Sequence, residues 1–195
     1  MRVIGLAGWS GAGKTTLLVR LIPELNRRGV AVSTLKHAHH AFEIDKPGKD
    51  SFEHRAAGAR EVLVASRRRW ALVHELRAES EPSLSGLLRR LSPVDLAIVE
   101  GFKACAHPKV AVHRAANARP LLLGQVPNVR LIASDVPLPD VPVPVVALDD
   151  VAAIADAVLR EAMRLEAVLG LLDRPESGAA SSPGCDARVR TAQPG

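Results

Sequence analysis

The segment from Gly8 to Thr15, GWSGAGKT, has the spacing Gly-x-x-x-x-Gly-Lys-Thr. A short apolar run, VIGLA, precedes it, and leucines at helical spacing follow it from Leu17 onward. This order predicts a strand, a glycine-rich turn and a helix, which is the setting of a phosphate-binding P-loop. Glycine is needed because the backbone must wrap closely around phosphate oxygens and adopt positive φ angles. The segment therefore predicts a polyphosphate site.

Two side chains of this segment have predicted roles in that site. Lys14 supplies an ammonium group to the β- and γ-phosphates of a nucleotide, and Thr15 offers a hydroxyl to Mg²⁺. The N–H groups of the turn form an anion-binding nest, to which the following helix adds the positive end of its dipole. We therefore expect a nucleotide and Mg²⁺ to bind together here.

A second part of the site is predicted at the end of another strand. The apolar segment DLAIVEG ends at Glu100 and Gly101. In P-loop proteins a carboxylate near the end of a central strand holds Mg²⁺ directly or through water. Glu100 is the predicted metal-binding acid, and Gly101 would let the backbone approach the γ-phosphate. The alternative is that Glu100 only ends the strand at the surface.

The segment from 36 to 50, KHAHHAFEIDKPGKD, is polar and charged, which is typical of a functional loop. Its histidines, His37, His39 and His40, could be read with Asp45 and Asp50 as a metal site, but a structural zinc site needs four fixed ligands. We expect contact with a polyanionic substrate or a partner instead, with cations supplied by Lys46, Lys49 and Arg55. Asp45 or Asp50 is a candidate acid near Mg²⁺ or the attacking water, with Asp50 as the catalytic candidate. Asp50 has the alternative role of a helix cap.

Alternation of apolar strands with amphipathic helices predicts an α/β fold, a mostly parallel β-sheet flanked by helices. We expect one nucleotide-binding domain over residues 1–173, in which an amphipathic helix runs from Val151 to Leu169. Residues 174–195 are small and polar with several prolines, which predicts a disordered tail.

Composition excludes some classes of function. Aromatic residues make up 3% of the chain and tyrosine is absent, so stacking on nucleic-acid bases is not expected. The net charge of +5 is scattered along the sequence, apart from Arg67–Arg69, which we interpret as a solvated loop. The chain has no signal-peptide pattern and no apolar run of about 18 residues. These features predict a cytoplasmic protein that binds neither nucleic acid nor membrane.

Several segments together resemble the MobB family of molybdopterin-guanine dinucleotide biosynthesis adaptor proteins. They are GWSGAGKTTLL, LKHAHHAFEIDKPGKDS, FEHRAAGA, VASRRRWAL, DLAIVEGFK, PKVAVHR and IASDVPL, in this order over residues 2–140. The resemblance implies a P-loop GTP-binding protein, usually a homodimer, that helps attach GMP to molybdopterin beside the nucleotidyltransferase MobA. It also implies phosphate binding by Gly8, Ser10, Gly11, Ala12, Gly13, Lys14, Thr15 and Thr16.

The resemblance places a base-recognising acid at Asp135, in the segment IASD. A carboxylate can accept hydrogen bonds from both N1–H and N2–H₂ of guanine, which adenine does not offer, so GTP is the expected nucleotide. Asp135 could instead cap a turn, and the NKxD signature of guanine-specific GTPases is absent. Trp9 stands where dimer-activated relatives of this P-loop class carry a second lysine.

The main hypothesis is thus a GTP-binding adaptor with weak GTPase activity in molybdenum cofactor biosynthesis. No residue is an obvious water-positioning glutamine or arginine finger, which predicts slow hydrolysis. The alternatives are a small-molecule P-loop kinase, with Asp50 and the 67–69 arginines in catalytic roles, and a metallochaperone-type GTPase that uses the loop histidines.

Overall fold

The computed structural model describes residues 1–38 and 44–174. Its elements in chain order are β1 (Arg2–Gly8), α1 (Lys14–Arg27), β2 (Val32–Lys36), α2 (Asp50–Ala56), β3 (Glu61–Ala65), β4 (Trp70–His74), α3 (Leu84–Leu88), β5 (Leu96–Glu100), β6 (Lys109–His113), a 3₁₀ turn (Ala115–Asn117), β7 (Val129–Ser134), β8 (Val145–Ala147), α4 (Val151–Glu161), β9 (Met163–Arg164) and α5 (Leu165–Leu172). No helix within these described ranges is both long and apolar enough to cross a membrane.

The chain divides into two compact units. The first contains residues 1–37 and the chain from Ser83 onward, and the second contains residues 38–82. The domain prediction of one unit over residues 1–173 stays a prediction, and the predicted tail from 175 lies outside the described residues.

The main sheet of the first unit has the strand order β2-β5-β1-β6-β7-β8, and all neighbours on this path are parallel. The short strand β9 pairs with the start of β1 in the antiparallel direction. Because parallel strands end at the same edge of a sheet, the residues after β1, β5 and β6 lie at one edge. This arrangement confirms the predicted α/β P-loop fold, and it places the glycine-rich turn and Glu100 side by side.

Apolar side chains cover both faces of this sheet. On one face Ile4 and Ile98 pack with the buried leucines of α1 and with Ile154 of α4. On the other face Val3 and Val99 pack with α3 and α5. The alternation of Val3 and Ile4 between the two clusters is expected, since successive side chains of a strand point to opposite faces. Helices on both faces hold the strand ends in fixed positions.

The prediction of one helix from 151 to 169 is wrong, because the structure has two helices there. Helix α4 ends at Glu161, Ala162 adopts an extended conformation, and α5 begins at Leu165. Between them β9 pairs with β1, and the Leu165 N–H donates to the carbonyl of Met1. Pairing with the sheet thus satisfies backbone groups at the point where the helix stops. After this break, Val168 of α5 packs in the cluster on the face of the sheet that carries Val3 and Val99.

The second unit contains α2 and the antiparallel hairpin β3–β4. Asp50 is the first residue of α2, Lys49 is its N-cap residue, and no side chain caps this end. The interpretation of Asp50 as a helix cap is therefore wrong. A carboxylate in the first turn still interacts favourably with the helix dipole. By contrast, Ser83 caps α3, since its Oγ accepts from the Gly86 N–H.

Candidate functional site

The glycine-rich turn between β1 and α1 has the backbone of an anion nest. Gly11 has a φ of 78° and Gly13 a φ of 91°, which only glycine adopts without strain. Ala12 is buried beneath the turn, and its N–H donates to the carbonyl of Trp9 over 3.1 Å. Ser10, Thr15 and Thr16 are exposed to solvent. The predicted turn and helix start are therefore present, with the hydroxyl groups accessible to a ligand.

Lys14 folds back over this turn. Its Nζ donates to the carbonyl of Gly8 over 3.1 Å and to that of Trp9 over 3.0 Å. Gly8 leaves room for this, because a Cβ there would lie 3.1 Å from the Lys14 Cγ. An ammonium group has three donors, so the two carbonyls hold Lys14 in position and leave one N–H for an anion.

The charges around Lys14 are mainly positive. Burial lowers the pKa of Lys14, the carboxylate of Glu100 raises it, and the ammonium groups of Lys103 and Lys36 lower it again. Lys36 also approaches Glu100, with 4.0 Å between Nζ and Oε2. Two further ammonium groups and one carboxylate therefore act on Lys14, and this excess of positive charge would attract a polyphosphate.

Glu100 lies at the expected strand end. It pairs in register with Leu6 of β1 and with Lys36 of β2, and its side chain is 14% exposed. A mostly buried carboxylate at the strand end and an exposed threonine hydroxyl at the start of α1 are oxygen donors of the kind that Mg²⁺ takes, since it keeps several water ligands and takes few from protein. The described residues contain no cluster of three or more His, Cys, Asp and Glu side chains that could hold a metal ion. The donors present thus fit Mg²⁺ better than a transition metal.

A sharp turn follows Glu100. Gly101 has a φ of 96°, and Phe102 has a φ of 48° although it is not glycine. The Phe102 side chain is buried, and its ring lies 4.7 Å from the ring of His37. The His37 N–H donates to the carbonyl of Glu100 over 2.9 Å. The end of β2 and the core together fix this turn, which directs Lys103 toward the glycine-rich turn.

Trp9 forms the contact between Lys103 and the glycine-rich turn. The Lys103 Nζ lies 5.3 Å from the centre of the Trp9 ring, and the guanidinium carbon of Arg119 lies 5.7 Å from it. The Trp9 Nε1–H donates to the carbonyl of Pro120 over 2.8 Å, which fixes the ring. Cations at such distances from an indole ring are attracted to it.

The residues after β6 line the other side of the turn. A Cβ on Gly13 would lie 3.2 Å from the Arg114 Nη2, and the Asn117 Nδ2 donates to the carbonyl of Ser10. Asp135, after β7, accepts from the Ala115 N–H through Oδ1 over 2.8 Å. The structure thus connects Asp135 to the glycine-rich turn through residues 114–117, as the turn-capping alternative predicts. Its role toward a base stays a prediction.

In the 36–55 segment, Arg55 contacts carboxylates of the protein itself. Arg55 donates to Asp45 over 3.0 Å and to Glu75 over 3.2 Å, and its guanidinium lies over the Phe52 ring. These carboxylates pair with Arg55 inside the second unit, and its predicted contact with a polyanion stays a prediction. Asp50 lies in this unit at the start of α2. His39 and His40 lie outside the described residues.

Sequence reasoning missed Lys103, Arg114 and Asn117 as site residues. All three follow the ends of strands that neighbour β1, either directly or after a short turn. The segments VEGFK and VHR after two buried strands are the only signals of Lys103 and Arg114 in the sequence. Which strands would neighbour β1 could not be read from them, because pairing is decided by the whole sheet.

Residues 3–135 match the family described as Molybdopterin guanine dinucleotide synthesis protein B. This range covers the P-loop, the strand that ends at Glu100, and Asp135. The chain belongs to the MobB family. MobB relatives are found among curated proteins and among solved structures.

Two curated MobB relatives are named Molybdopterin-guanine dinucleotide biosynthesis adapter protein. The relative from Escherichia coli is 45% identical over 160 residues, which is 80% of this chain and 91% of that protein. The relative from Haemophilus influenzae is 43% identical over 121 residues, 61% of this chain and 67% of that protein. A solved structure titled molybdopterin-guanine biosynthesis protein B (mobB) is 25% identical, with a TM-score of 0.65 over 81% of this chain and 98% of that chain.

Proposed function

We propose that this chain is an adapter protein of molybdopterin-guanine dinucleotide synthesis that binds GTP at the P-loop and hydrolyses it slowly. The observation that carries the nucleotide part is the placement of Lys14 and Lys103 at the glycine-rich turn, where Lys14 donates to the carbonyls of Gly8 and Trp9 and Lys103 lies over the Trp9 ring. The pathway part rests on the names of the curated relatives.

The charge balance favours a triphosphate as the ligand. Like charges this close destabilise one another, and part of this cost is relieved when an anion binds between them. Backbone N–H groups of the turn and the N-terminus of α1 add to the attraction. Arg114, beside Gly13, supplies another cation on the β6 side of the turn.

Mg²⁺ is the proposed cofactor, held by Thr15 and Glu100. Bound there, Mg²⁺ would neutralise part of the charge of the phosphates. Glu100 also acts on the lysines: burial lowers the pKa of Lys14, and the Glu100 carboxylate opposes part of this lowering.

Asp135 is the proposed guanine-reading residue. Its Oδ1 accepts one hydrogen bond from the Ala115 N–H. A carboxylate has about four lone-pair sites on its two oxygens, so this bond leaves capacity for the N1–H and N2–H₂ groups of guanine. Adenine has an acceptor at N1 and would face the carboxylate unfavourably.

Slow hydrolysis is expected from the side chains near the site. Gln125, the one glutamine among the described residues, donates to the carbonyl of Leu121 and is not placed to orient an attacking water. Positioning of that water supplies much of the rate of GTP hydrolysis. Such a site suits an adapter whose contacts with other proteins depend on the bound nucleotide better than it suits a fast enzyme.

The proposed partners are a MobA-like nucleotidyltransferase, the molybdopterin cofactor and a second copy of the chain. The hairpin β3–β4 supports self-association, because Leu63 pairs with Leu72 and Ala65 with Trp70 on one face of the hairpin. Leu63, Trp70 and Leu72 are 61%, 67% and 45% exposed. Apolar surface of this kind is typical of an interface between protein chains.

Calorimetric titration with GTP and ATP tests the nucleotide part, with wild type compared with Lys14→Ala and with Arg90→Ala. Arg90 is exposed on the protein surface, so its variant controls for the loss of one positive charge. We expect GTP to bind, Lys14→Ala to weaken binding by about 100-fold or more, and Arg90→Ala to bind as wild type does. Tight binding of ATP without GTP would reject the assignment.

The adapter part needs a separate measurement. Dinucleotide formation by a MobA-like nucleotidyltransferase, given molybdopterin and GTP, should rise when the wild-type chain is added. Lys14→Ala should give a smaller increase. An equal yield with and without the chain would argue against the pathway assignment.

A further inference from the structure

The backbone between Glu100 and Lys103 is held in a strained form. Phe102 occupies the left-handed region with a φ of 48°, which is unfavourable for a residue other than glycine. Burial of its ring against His37 holds this conformation. Such strain persists where the surrounding structure imposes it and is concentrated at functional sites. Here its consequence is the direction in which the next residue, Lys103, leaves the sheet.

Lys103 lies next to the phosphate-binding lysine. Both are connected to Trp9, since Lys14 donates to the Trp9 carbonyl while the Lys103 ammonium lies 5.3 Å from the centre of the Trp9 ring. Lys103 is partly buried, which lowers its pKa, and its charge lowers the pKa of Lys14. An ammonium on a flexible four-carbon chain can move from the indole face to a nearby anion.

The strand order indicates which phosphate Lys103 would meet. Asp135 follows β7 and Lys103 follows β5, and these strands lie on opposite sides of β1 in the order β5-β1-β6-β7. A nucleotide whose base lies near Asp135 extends its phosphates across β6 toward β1. The terminal phosphate then lies on the β5 side, at Lys14 and Lys103.

We propose that Lys103 is a second phosphate-binding lysine, supplied by the same chain, which contacts the terminal phosphate and makes the site prefer a nucleoside triphosphate to a diphosphate. This inference rests on the proposed nucleotide site. It makes two predictions that a merely structural lysine does not. First, removal of the Lys103 charge weakens the binding of the triphosphate and not that of the diphosphate. Second, the fluorescence of Trp9 changes when Lys103 moves away from its ring.

The first experiment measures the dissociation constants of GDP and of a non-hydrolysable GTP analogue for wild type, Lys103→Gln, Lys103→Arg and Arg119→Gln. Arg119 is the matched control, because it is the other cation over the Trp9 ring. We expect Lys103→Gln to raise the dissociation constant of the GTP analogue by about 10-fold or more and that of GDP by less than threefold. Lys103→Arg should retain the preference, and Arg119→Gln should leave it unchanged.

The second experiment follows Trp9 fluorescence in a Trp70→Phe background, which leaves Trp9 as the one tryptophan. The GTP analogue should change the emission more than GDP does, and Lys103→Gln should remove this difference. Equal losses for both nucleotides in Lys103→Gln, or no loss, would overturn the inference even though the wild type binds GTP. If the wild type binds adenine nucleotides instead, the base assignment fails, and the same comparison with ADP and an ATP analogue still decides the role of Lys103. Binding of neither nucleotide class by the wild type would overturn both proposals.

Discussion

Gly101 and His37 lie so close together that a side chain at position 101 would not fit. A Cβ built on Gly101 would lie 2.6 Å from the Cβ of His37. The φ of Gly101 is 96°, so an L-residue there would also be strained. The close approach lets the carbonyl of Glu100 accept from the His37 N–H, which ties the end of β5 to the end of β2. Both strand ends contribute charges to the candidate site.

Replacement Gly101→Ala is therefore expected to lower the free energy of unfolding by about 2–4 kcal/mol, as strain and steric conflict add together. Gly29→Ala is the control, because Gly29 has a φ of 77° and nothing within 4 Å of a built Cβ. The control should lose only about 1 kcal/mol. Urea denaturation measures the unfolding free energy of both variants. Equal losses of stability would show that the close contact with His37 adds nothing to the cost of a side chain at position 101.

Replacement Glu100→Gln keeps the shape of the side chain and removes its charge. We expect Mg²⁺ to raise the GTP affinity of this variant less than it raises that of wild type, since one metal-binding carboxylate is lost while Thr15 remains. In chelator the variant should bind GTP at least as tightly as wild type, because three lysines then act on the phosphates with no carboxylate between them. Calorimetry with and without Mg²⁺ checks both expectations. A variant that keeps the Mg²⁺ dependence of wild type would contradict the role of Glu100.

The stability of the chain should depend on pH through His107. This side chain is fully buried, and neither ring nitrogen has a hydrogen-bond partner among the described residues. Burial, with the nearby charge of Lys109, lowers the pKa of His107 from 6.5 to about 3. The unfolded chain therefore binds an extra proton between these values, and the stability present above pH 6.5 is lost as pH falls toward 3.

For wild type we expect this titration to remove up to about 1.4 kcal/mol of unfolding free energy per pH unit in that range. His107→Leu should lack this part of the slope, whereas His54→Gln, at an exposed position, should keep it. Urea denaturation between pH 4 and pH 8 measures the three slopes. Identical slopes for wild type and His107→Leu would mean that His107 does not titrate below pH 6.5 on unfolding.

The hairpin face predicts a surface for self-association. Replacement Leu72→Lys places a charge opposite Leu63 on this face. We therefore expect the dissociation constant of the dimer to rise by about tenfold or more. Val19→Lys, at a position of α1 that is 67% exposed, should leave the dimer intact. Light scattering across a dilution series measures the association constants. A wild-type chain that stays monomeric at every concentration would reject the homodimer proposal.

Much of the site could be predicted from local sequence. The P-loop and Glu100 each lie in a short segment whose pattern fixes its own backbone, because glycine spacing and an apolar strand are local signals. The break between α4 and α5 was missed for the opposite reason. The apolar period continues from 151 to 169, and only the backbone pairing of β9 with β1 ends the first helix.

The sequence by itself thus determined the parallel sheet, the glycine-rich turn and the strand-end acid. The tertiary structure alone decided which cations meet that turn. Arg55 was an expected anion contact, but two carboxylates of its own unit engage it. Lys103 and Arg114 reach the turn because β5 and β6 pair with β1 on either side. Charges act over a few ångströms in space, and the residues that come within that distance are chosen by strand pairing and not by separation along the chain.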